Sequence, residues 1–283
     1  MPSNKRQKEL ARRRAERQAA RRAAERARRR KRRTILGLTI GGVAAAVVVL
    51  LLVLTTLNDD DKGSEALDDP SATPTPSASA DEEAFKKFPV ACGAKRPKEA
   101  KPQSFGDKPP KMTIDKAKTY EMTLKTSCGD IVVALDAKNA PNTVNSFHFL
   151  AGKDFYDGSI CHRMSDQPTF SFIQCGDPSG TGAGDAPGYK LAEENTEGAK
   201  YERGTLAMAN TGQPTSTGSQ FFLLSKPATE LPPNYTVAGK ITKGIEVLDK
   251  IIKLGTDGAF DPSPGGGHPK QAVYLEDVTV KES

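Results

Sequence analysis

From residue 120 onward, apolar residues recur at every second position in short runs separated by glycine, proline, asparagine and aspartate. That is the period of half-buried strands. The runs are YEMTLKT (120–126), DIVVAL (130–135), TFSFIQC (169–175), GTLAMAN (204–210), QFFLLS (220–225), TVAGKIT (236–242) and AVYLEDVTV (272–280). In the second of them, Ile131, Val133 and Leu135 alternate toward one side. Only two stretches carry a helical period. One is 141–151, opened by Ala140-Pro141 with Phe147 and Leu150 on its apolar face, and the other is 244–253. Many short strands with few helices predict a mainly β domain, closed or nearly closed into an antiparallel barrel.

Upstream the pattern changes twice. Residues 34–57 hold 24 positions without a charge, enough to cross a hydrocarbon core of roughly 30 Å at about 1.5 Å per residue, and read as one transmembrane helix. Residues 58–112 are rich in Pro, Ser, Ala and charge, and cannot bury enough apolar area to offset their conformational entropy; they read as a disordered linker. Phe85, Phe88 and Val90 interrupt that composition just ahead of Cys92, which leaves open whether a piece near 85–93 docks on the domain. The division is a basic segment 1–33, a membrane helix 34–57, a linker 58–112 and a folded domain 113–283.

Charge sharpens this division. The overall +6 is uneven, because residues 1–33 carry 16 Lys/Arg against three acids, a net +13 that leaves −7 for the rest. Basic 28–33 precedes the apolar span and acidic 59–61 follows it, so the positive-inside rule puts the N-terminus in the cytoplasm and the domain outside the cell membrane. A cleavable signal would have an apolar stretch of about 7 to 15 residues and a small-x-small site close behind, and neither is present. The basic repeat could attract nucleic acid but contains no aromatic residue to stack a base. It fits anionic lipid better, at about 1 kcal/mol per basic residue.

Candidate chemistry concentrates in CHRMSDQPTFSFIQCGDPSGT (161–181), AMANTG (207–212) and TGSQFFLL (217–224). With the opening stretch CGDIVVALDAKNAPNTVNSFHFLAGKDFYDGSICHR (128–163), these segments resemble the cyclophilin family of peptidyl-prolyl cis/trans isomerases, whose usual forms are FHR, QGGD after an apolar residue, MANAG and GSQFF. The resemblance covers about residues 113–283. It implies a closed eight-stranded antiparallel barrel capped by two helices, acting without cofactor or metal as a monomeric domain on proline-containing polypeptide clients; with the domain placed outside the membrane, its role would be the folding of secreted or envelope proteins.

Residue by residue, the resemblance implies that Arg163 donates to the prolyl nitrogen and that Gln174 orients Arg163 and the substrate carbonyl. Asn210 would grip the residue before proline through its backbone, with Met208 and Ala209 lining the neighbouring surface. Gln220 and Phe222 match GSQFF, with Phe222 on the floor of the proline pocket. The loop between Arg163 and Gln174 is about three residues longer than usual, leaving Ser171 and Phe172 where two apolar residues are expected; either Phe170 or Phe172 supplies the wall. The chain has no tryptophan. In LPPNYTVAG, Leu231 matches the rim leucine and Tyr235 takes the place of a histidine, keeping an aromatic body with a polar tip. The altered rim suggests an alternative function, a proline-segment binding or chaperone module with little turnover.

Other patterns carry less. SGTGAGDAPG (179–188) lacks GxGxxG spacing and a Gly-Lys-Ser/Thr ending, so it reads as a surface loop. His148 and His268 have no sequence neighbour that makes either a hydrolytic base. Cys92, Cys128, Cys161 and Cys175 suit disulfides outside the cytoplasm, in three possible pairings. If Arg163 and Gln174 face the substrate, strand alternation sets Cys161 and Cys175 on opposite faces, which favours bridges that involve Cys92 or Cys128. A zinc site from Cys161, His162 and Cys175 would lack a CxxC knuckle.

Overall fold

Residues 87–283, apart from 184–185 and 262–264, are described by a computed structural model of the chain. The basic segment 1–33, the expected membrane helix 34–57 and the linker as far as residue 86 lie outside the described residues. Among the described residues no helix is long and apolar enough to cross a membrane.

Among the described residues, nine strands form one antiparallel sheet, in the chain order β1 (Tyr120–Thr126), β2 (Gly129–Leu135), β3 (Ser159–Ile160), β4 (Arg163–Gln167), β5 (Phe170–Cys175), β6 (Thr205–Met208), β7 (Phe221–Leu224), β8 (Val237–Lys243) and β9 (Tyr274–Glu282). Helix α1 (Pro141–Ala151) follows β2, and α2 (Ile245–Ile252) follows β8. Across the sheet the order is β3-β9-β1-β2-β8-β6-β7-β5-β4. The two edge strands are thus consecutive in sequence, joined only by Cys161 and His162. Such a link spans about 10 Å at most, so the sheet must curl until its edges nearly meet.

This corrects the expected closed eight-stranded barrel. The ladder has nine strands and stays open between β3 and β4, where the seam is held by the pairing of Met164 with Gly267 and by a Cys161–Cys175 disulfide. The additional strand is two residues long, too short to show a period. The same seam explains the unexpected cysteine pairing. Cys161 belongs to the turn between β3 and β4, so strand alternation does not carry across it, and its Cα lies 4.1 Å from that of Cys175. The second bridge joins Cys92 to Cys128.

Alternation fills the barrel from both helices. Met122 and Leu124 of β1 and Ile131, Val133 and Leu135 of β2 pack with Phe147 and Leu150 of α1 and Leu248 and Ile251 of α2. Each such side chain contributes about 1.5–3 kcal/mol when fully buried. Pro141 opens α1 at a position whose N–H has no helical partner. Glu194 caps this end from a distant loop, accepting from the Asn142 N–H at 3.1 Å and the Thr143 N–H at 2.8 Å. A carboxylate is favourable there because it meets the positive end of the helix dipole.

The described part of the expected disordered linker corrects that expectation: residues 88–112 contain no strand or α-helix, yet they lie against the domain. Val90 pairs with Ala272, Ala100 donates to Gly158 O at 3.4 Å, and Phe105 stacks edge-on against Phe149 at 5.0 Å. A Cβ on Gly158 would meet Lys98 O at 2.0 Å, so this strap crosses where only glycine fits.

Candidate functional site

Strand register builds the site. Arg163 pairs with Gln174, Gln174 with Phe222, Phe222 with Ala207, and Ala207 with Val237. Residues directly opposite in adjacent strands share a face, so this row lies on one side of four neighbouring strand pairs. The adjacent row, Met164, Ile173, Leu223 and Leu206, belongs to the barrel core. The site is therefore on the outer face of the sheet.

Around this row a second apolar cluster forms from Phe172, Tyr201, Ala207, Phe222, Leu224 and Ala228, flanked by the partly exposed Phe170, Ala209, Leu231 and Tyr235. Phe170 and Phe172 both contribute to its wall. Their centroids stand 6.1 and 5.9 Å from that of Phe222 and 4.3 Å from each other. Tyr235 closes the other side, edge-on to Phe222 at 5.7 Å. Tyr201 holds Tyr235 in place, its hydroxyl donating to Tyr235 O at 3.1 Å and accepting from Tyr235 N at 3.0 Å.

Arg163 lies at the edge of this cluster. Its guanidinium carbon is 5.0 Å from the Phe172 ring centroid, within range of a cation–π contact. Nε and Nη2 both donate to Gly265 O, at 3.3 and 3.0 Å. Burial lowers the pKa of the group, yet guanidinium starts so high that it stays charged. The Gly265 carbonyl is thus one acceptor that holds the group in place beside the Phe172 ring.

Next to Arg163, Gln174 Nε2 donates to Gln220 Oε1 at 2.8 Å, and Gln220 Nε2 donates to Gly182 O at 2.9 Å. These residues, with Ala209 and Asn210, line a cavity of about 220 Å³ beside the aromatic wall. The Asn210 side chain ties two rim loops, with Nδ2 donating to Asn234 O and Oδ1 accepting from Gly212 N. Of the ten residues expected in the site, nine border the wall or the cavity. Met208 does not: it is 2% exposed in the barrel core beside Phe221, on the inward side of β6. One-residue alternation separates it from Ala207.

His162 sits behind Arg163. It is 4% exposed, and neither ring nitrogen has a hydrogen-bond partner; Gln220 approaches the ring without reaching hydrogen-bond geometry. The glycine-rich loop closes over it, and a Cβ on Gly182 would come within 2.7 Å of the His162 ring. Asp177, almost fully buried, holds that loop by accepting from Ser179 N and Gly182 N. Burial lowers the His162 pKa from 6.5 to about 4, with Asp177 opposing and Arg163 and His268 adding to the shift. Between these values the unfolded chain binds a proton that the folded chain does not, so stability falls as pH drops from 6.5 to 4 and levels off below. The full shift corresponds to about 3 kcal/mol. Urea midpoints at pH 7 and pH 4.5 should therefore fall further for the wild type than for His162→Gln, and equal falls would contradict a buried neutral imidazole.

Two features were not visible in the sequence reading. Tyr201 lies in a loop without periodicity. His268, expected without an acid beside it, hydrogen-bonds through Nδ1 to the Asp257 carboxylate at 2.9 Å, eleven positions away. Cys161 and Cys175 are bonded to each other and so supply no thiolate for a metal. Among the described residues no group of three or more His, Cys, Asp or Glu side chains could hold a metal ion.

The chain is similar to several known proteins. The family model described as cyclophilin type peptidyl-prolyl cis-trans isomerase matches residues 121–280. The probable peptidyl-prolyl cis-trans isomerase B of Mycobacterium tuberculosis H37Rv is 39% identical over 172 residues, covering 56% of this chain and 54% of that protein. Its Mycobacterium leprae counterpart is 40% identical over 189 residues, 61% of each chain. The alignment therefore spans little more than half the length of these relatives. Peptidyl-prolyl cis-trans isomerase-like 3 of Rattus norvegicus is 34% identical over 162 residues, which is 94% of that protein and 56% of this chain. A crystal structure of a Cryptosporidium parvum cyclophilin type isomerase aligns with a TM-score of 0.48 at 25% identity, covering 58% of this chain and 99% of that one.

Proposed function

Because the chain belongs to the cyclophilin-type peptidyl-prolyl cis-trans isomerase family, we propose that its domain catalyses cis/trans rotation of X-Pro bonds in polypeptide clients. The reaction breaks no bond. Rotation costs about 20 kcal/mol because amide resonance is lost on the way, and unaided it takes tens of seconds or longer. As resonance is lost, the prolyl nitrogen regains a lone pair and becomes an acceptor. A donor aimed at that nitrogen stabilises the twisted amide and neither planar form, which is what lowers a barrier. Arg163 is that donor, and the wall of Phe170, Phe172, Phe222, Leu231 and Tyr235 holds the ring. Gln174 and Gln220 fix the polar side of the groove, where Asn210 meets the residue before proline.

One observation carries this reading: a permanently charged guanidinium, bonded to the Gly265 carbonyl, stands over Phe172 in the same cross-strand row as Phe222. The test is a protease-coupled isomerisation assay on the full chain, run beside a peptide-binding titration. Turnover above the uncatalysed rate is expected. Saturable peptide binding with no rate enhancement would instead make the domain a proline-segment binding module.

The proposal extends to place. Residues 34–57 would anchor the chain in the cell membrane, with 1–33 inside against anionic lipid and the domain outside. Two disulfides support an oxidising compartment. Clients there would be secreted or envelope proteins whose X-Pro bonds limit folding. A reporter fused after Ser283 should be active only outside the cytoplasm, and cytoplasmic activity would overturn this topology.

A further inference from the structure

The Gly265 carbonyl that bonds Arg163 belongs to a glycine run tied back to Phe260, whose oxygen accepts from Gly265 N and whose N–H donates to Gly266 O, both at 2.9 Å. Gly265, Gly266 and Gly267 are consecutive, and the first two adopt φ of +90° and +79°. A Cβ on Gly266 would meet Met164 O at 2.2 Å, and one on Gly267 would meet Asp257 Oδ1 at 2.1 Å. Glycine is thus required here by close approach, and three glycines in a row lose the most conformational freedom on ordering. Backbone bonds within the loop offset part of that loss.

Asp257 and His268 add side-chain ties. Asp257 Oδ1 accepts from Ala259 N at 3.0 Å and from His268 N at 2.8 Å, while Oδ2 pairs with His268 Nδ1 at 2.9 Å. The pair thereby joins the start of the loop to its end. His268 is 4% exposed and stands edge-on to Phe260 at 4.8 Å. Asp261 Oδ1 accepts from Gly266 N at 2.9 Å. Reciprocal bonds between Met164 and Gly267, at 2.8 and 3.0 Å, then fix the loop to β4 one residue beyond Arg163. A chain of contacts therefore runs from Asp257 and His268 through the glycines to the Gly265 oxygen and the guanidinium.

We infer that Asp257 and His268 are positioning residues for Arg163: they hold the Gly265 carbonyl where it fixes the plane and direction of the guanidinium, without touching substrate. This rests on the isomerase reading for its kinetic consequence but not for its structural one. Misplacing a catalytic group by about 1 Å can cost about a hundredfold in rate. The effect should fall on kcat, because the aromatic wall that binds proline is built from other elements.

The experiment compares the purified full chain with Asp257→Ala, Asp257→Asn, Arg163→Ala and the double variant Arg163→Ala/Asp257→Ala. Measurements are kcat and KM on an Ala-Pro peptide and the NMR resonance of the Arg163 Nε–H with its solvent exchange rate. Asp257→Ala should lower kcat about tenfold with KM changed less than about twofold, and should speed exchange of the Arg163 Nε–H. Asp257→Asn keeps an oxygen for the Ala259 and His268 amides and should recover most of the loss; it also serves if the alanine variant fails to fold. The double variant should be no slower than Arg163→Ala alone, since coupled residues are not additive. Unchanged kcat and Nε–H exchange in Asp257→Ala, or an additive loss in the double variant, would overturn the inference. If the unmodified chain shows no turnover, the isomerase reading fails, and unchanged Nε–H exchange would still refute the positioning role independently.

Discussion

Replacing Arg163 with alanine is expected to lower kcat/KM for an X-Pro peptide by at least tenfold, and on the order of a hundredfold if the donor acts only in the twisted state. A hydrogen bond from a charged group contributes about 1.5–3 kcal/mol, and each 1.4 kcal/mol is about tenfold in rate. The fold should survive, because Arg163 lies on the outer face of β4, away from the barrel core. Lysine should not restore activity. An ammonium is a point donor and cannot combine the two bonds to Gly265 O with the flat contact on Phe172. Steady-state kinetics of the three proteins decides the matter, and full activity in the alanine variant would remove Arg163 from the mechanism.

Reduction of the two disulfides should cost a large part of the stability. The Cys161–Cys175 bridge closes 14 residues and Cys92–Cys128 closes 36. On the chain-entropy account such loops are worth about 3 and 4 kcal/mol, against a total of about 5–15 for a domain. The two should separate functionally. Cys161 is two residues from Arg163, at the seam between β3 and β4, whereas Cys92 and Cys128 fasten the strap to the turn between β1 and β2. Replacing Cys161 and Cys175 with alanine should therefore lower both the urea midpoint and kcat. Replacing Cys92 and Cys128 should lower the midpoint alone. A midpoint that does not move with reductant would refute the stabilising role of both bridges.

What the sequence made legible is what depends on local period and on motif order. The helix expected at 141–151 is observed as Pro141–Ala151, and the alternation of Ile131, Val133 and Leu135 is their burial in the core. The facing of Arg163, Gln174 and Phe222 follows from the same alternation once strand register is known. What escaped depends on contacts between distant segments. The two-residue β3 has no period, and the turn at Cys161-His162 breaks the alternation used to separate Cys161 from Cys175. Met208 lies on the inward side of β6, a choice that a motif match does not make but a one-residue step does. Asp257 and His268 meet across a glycine-rich loop that also bonds to β4 through Met164 and Gly267. Tyr201 reaches Tyr235 across 34 positions of sequence.

The central claim is that this site rotates X-Pro bonds, and exchange spectroscopy on an Ala-Pro peptide tests it without a coupling protease. With a catalytic amount of the full chain, the cis and trans proline resonances should exchange in well under a second, against tens of seconds or longer alone. The exchange should slow sharply with Arg163→Ala. Exchange that stays at the uncatalysed rate, while peptide addition still shifts the resonances of Phe222 and Tyr235, would show that the groove binds proline without isomerising it and would contradict the account.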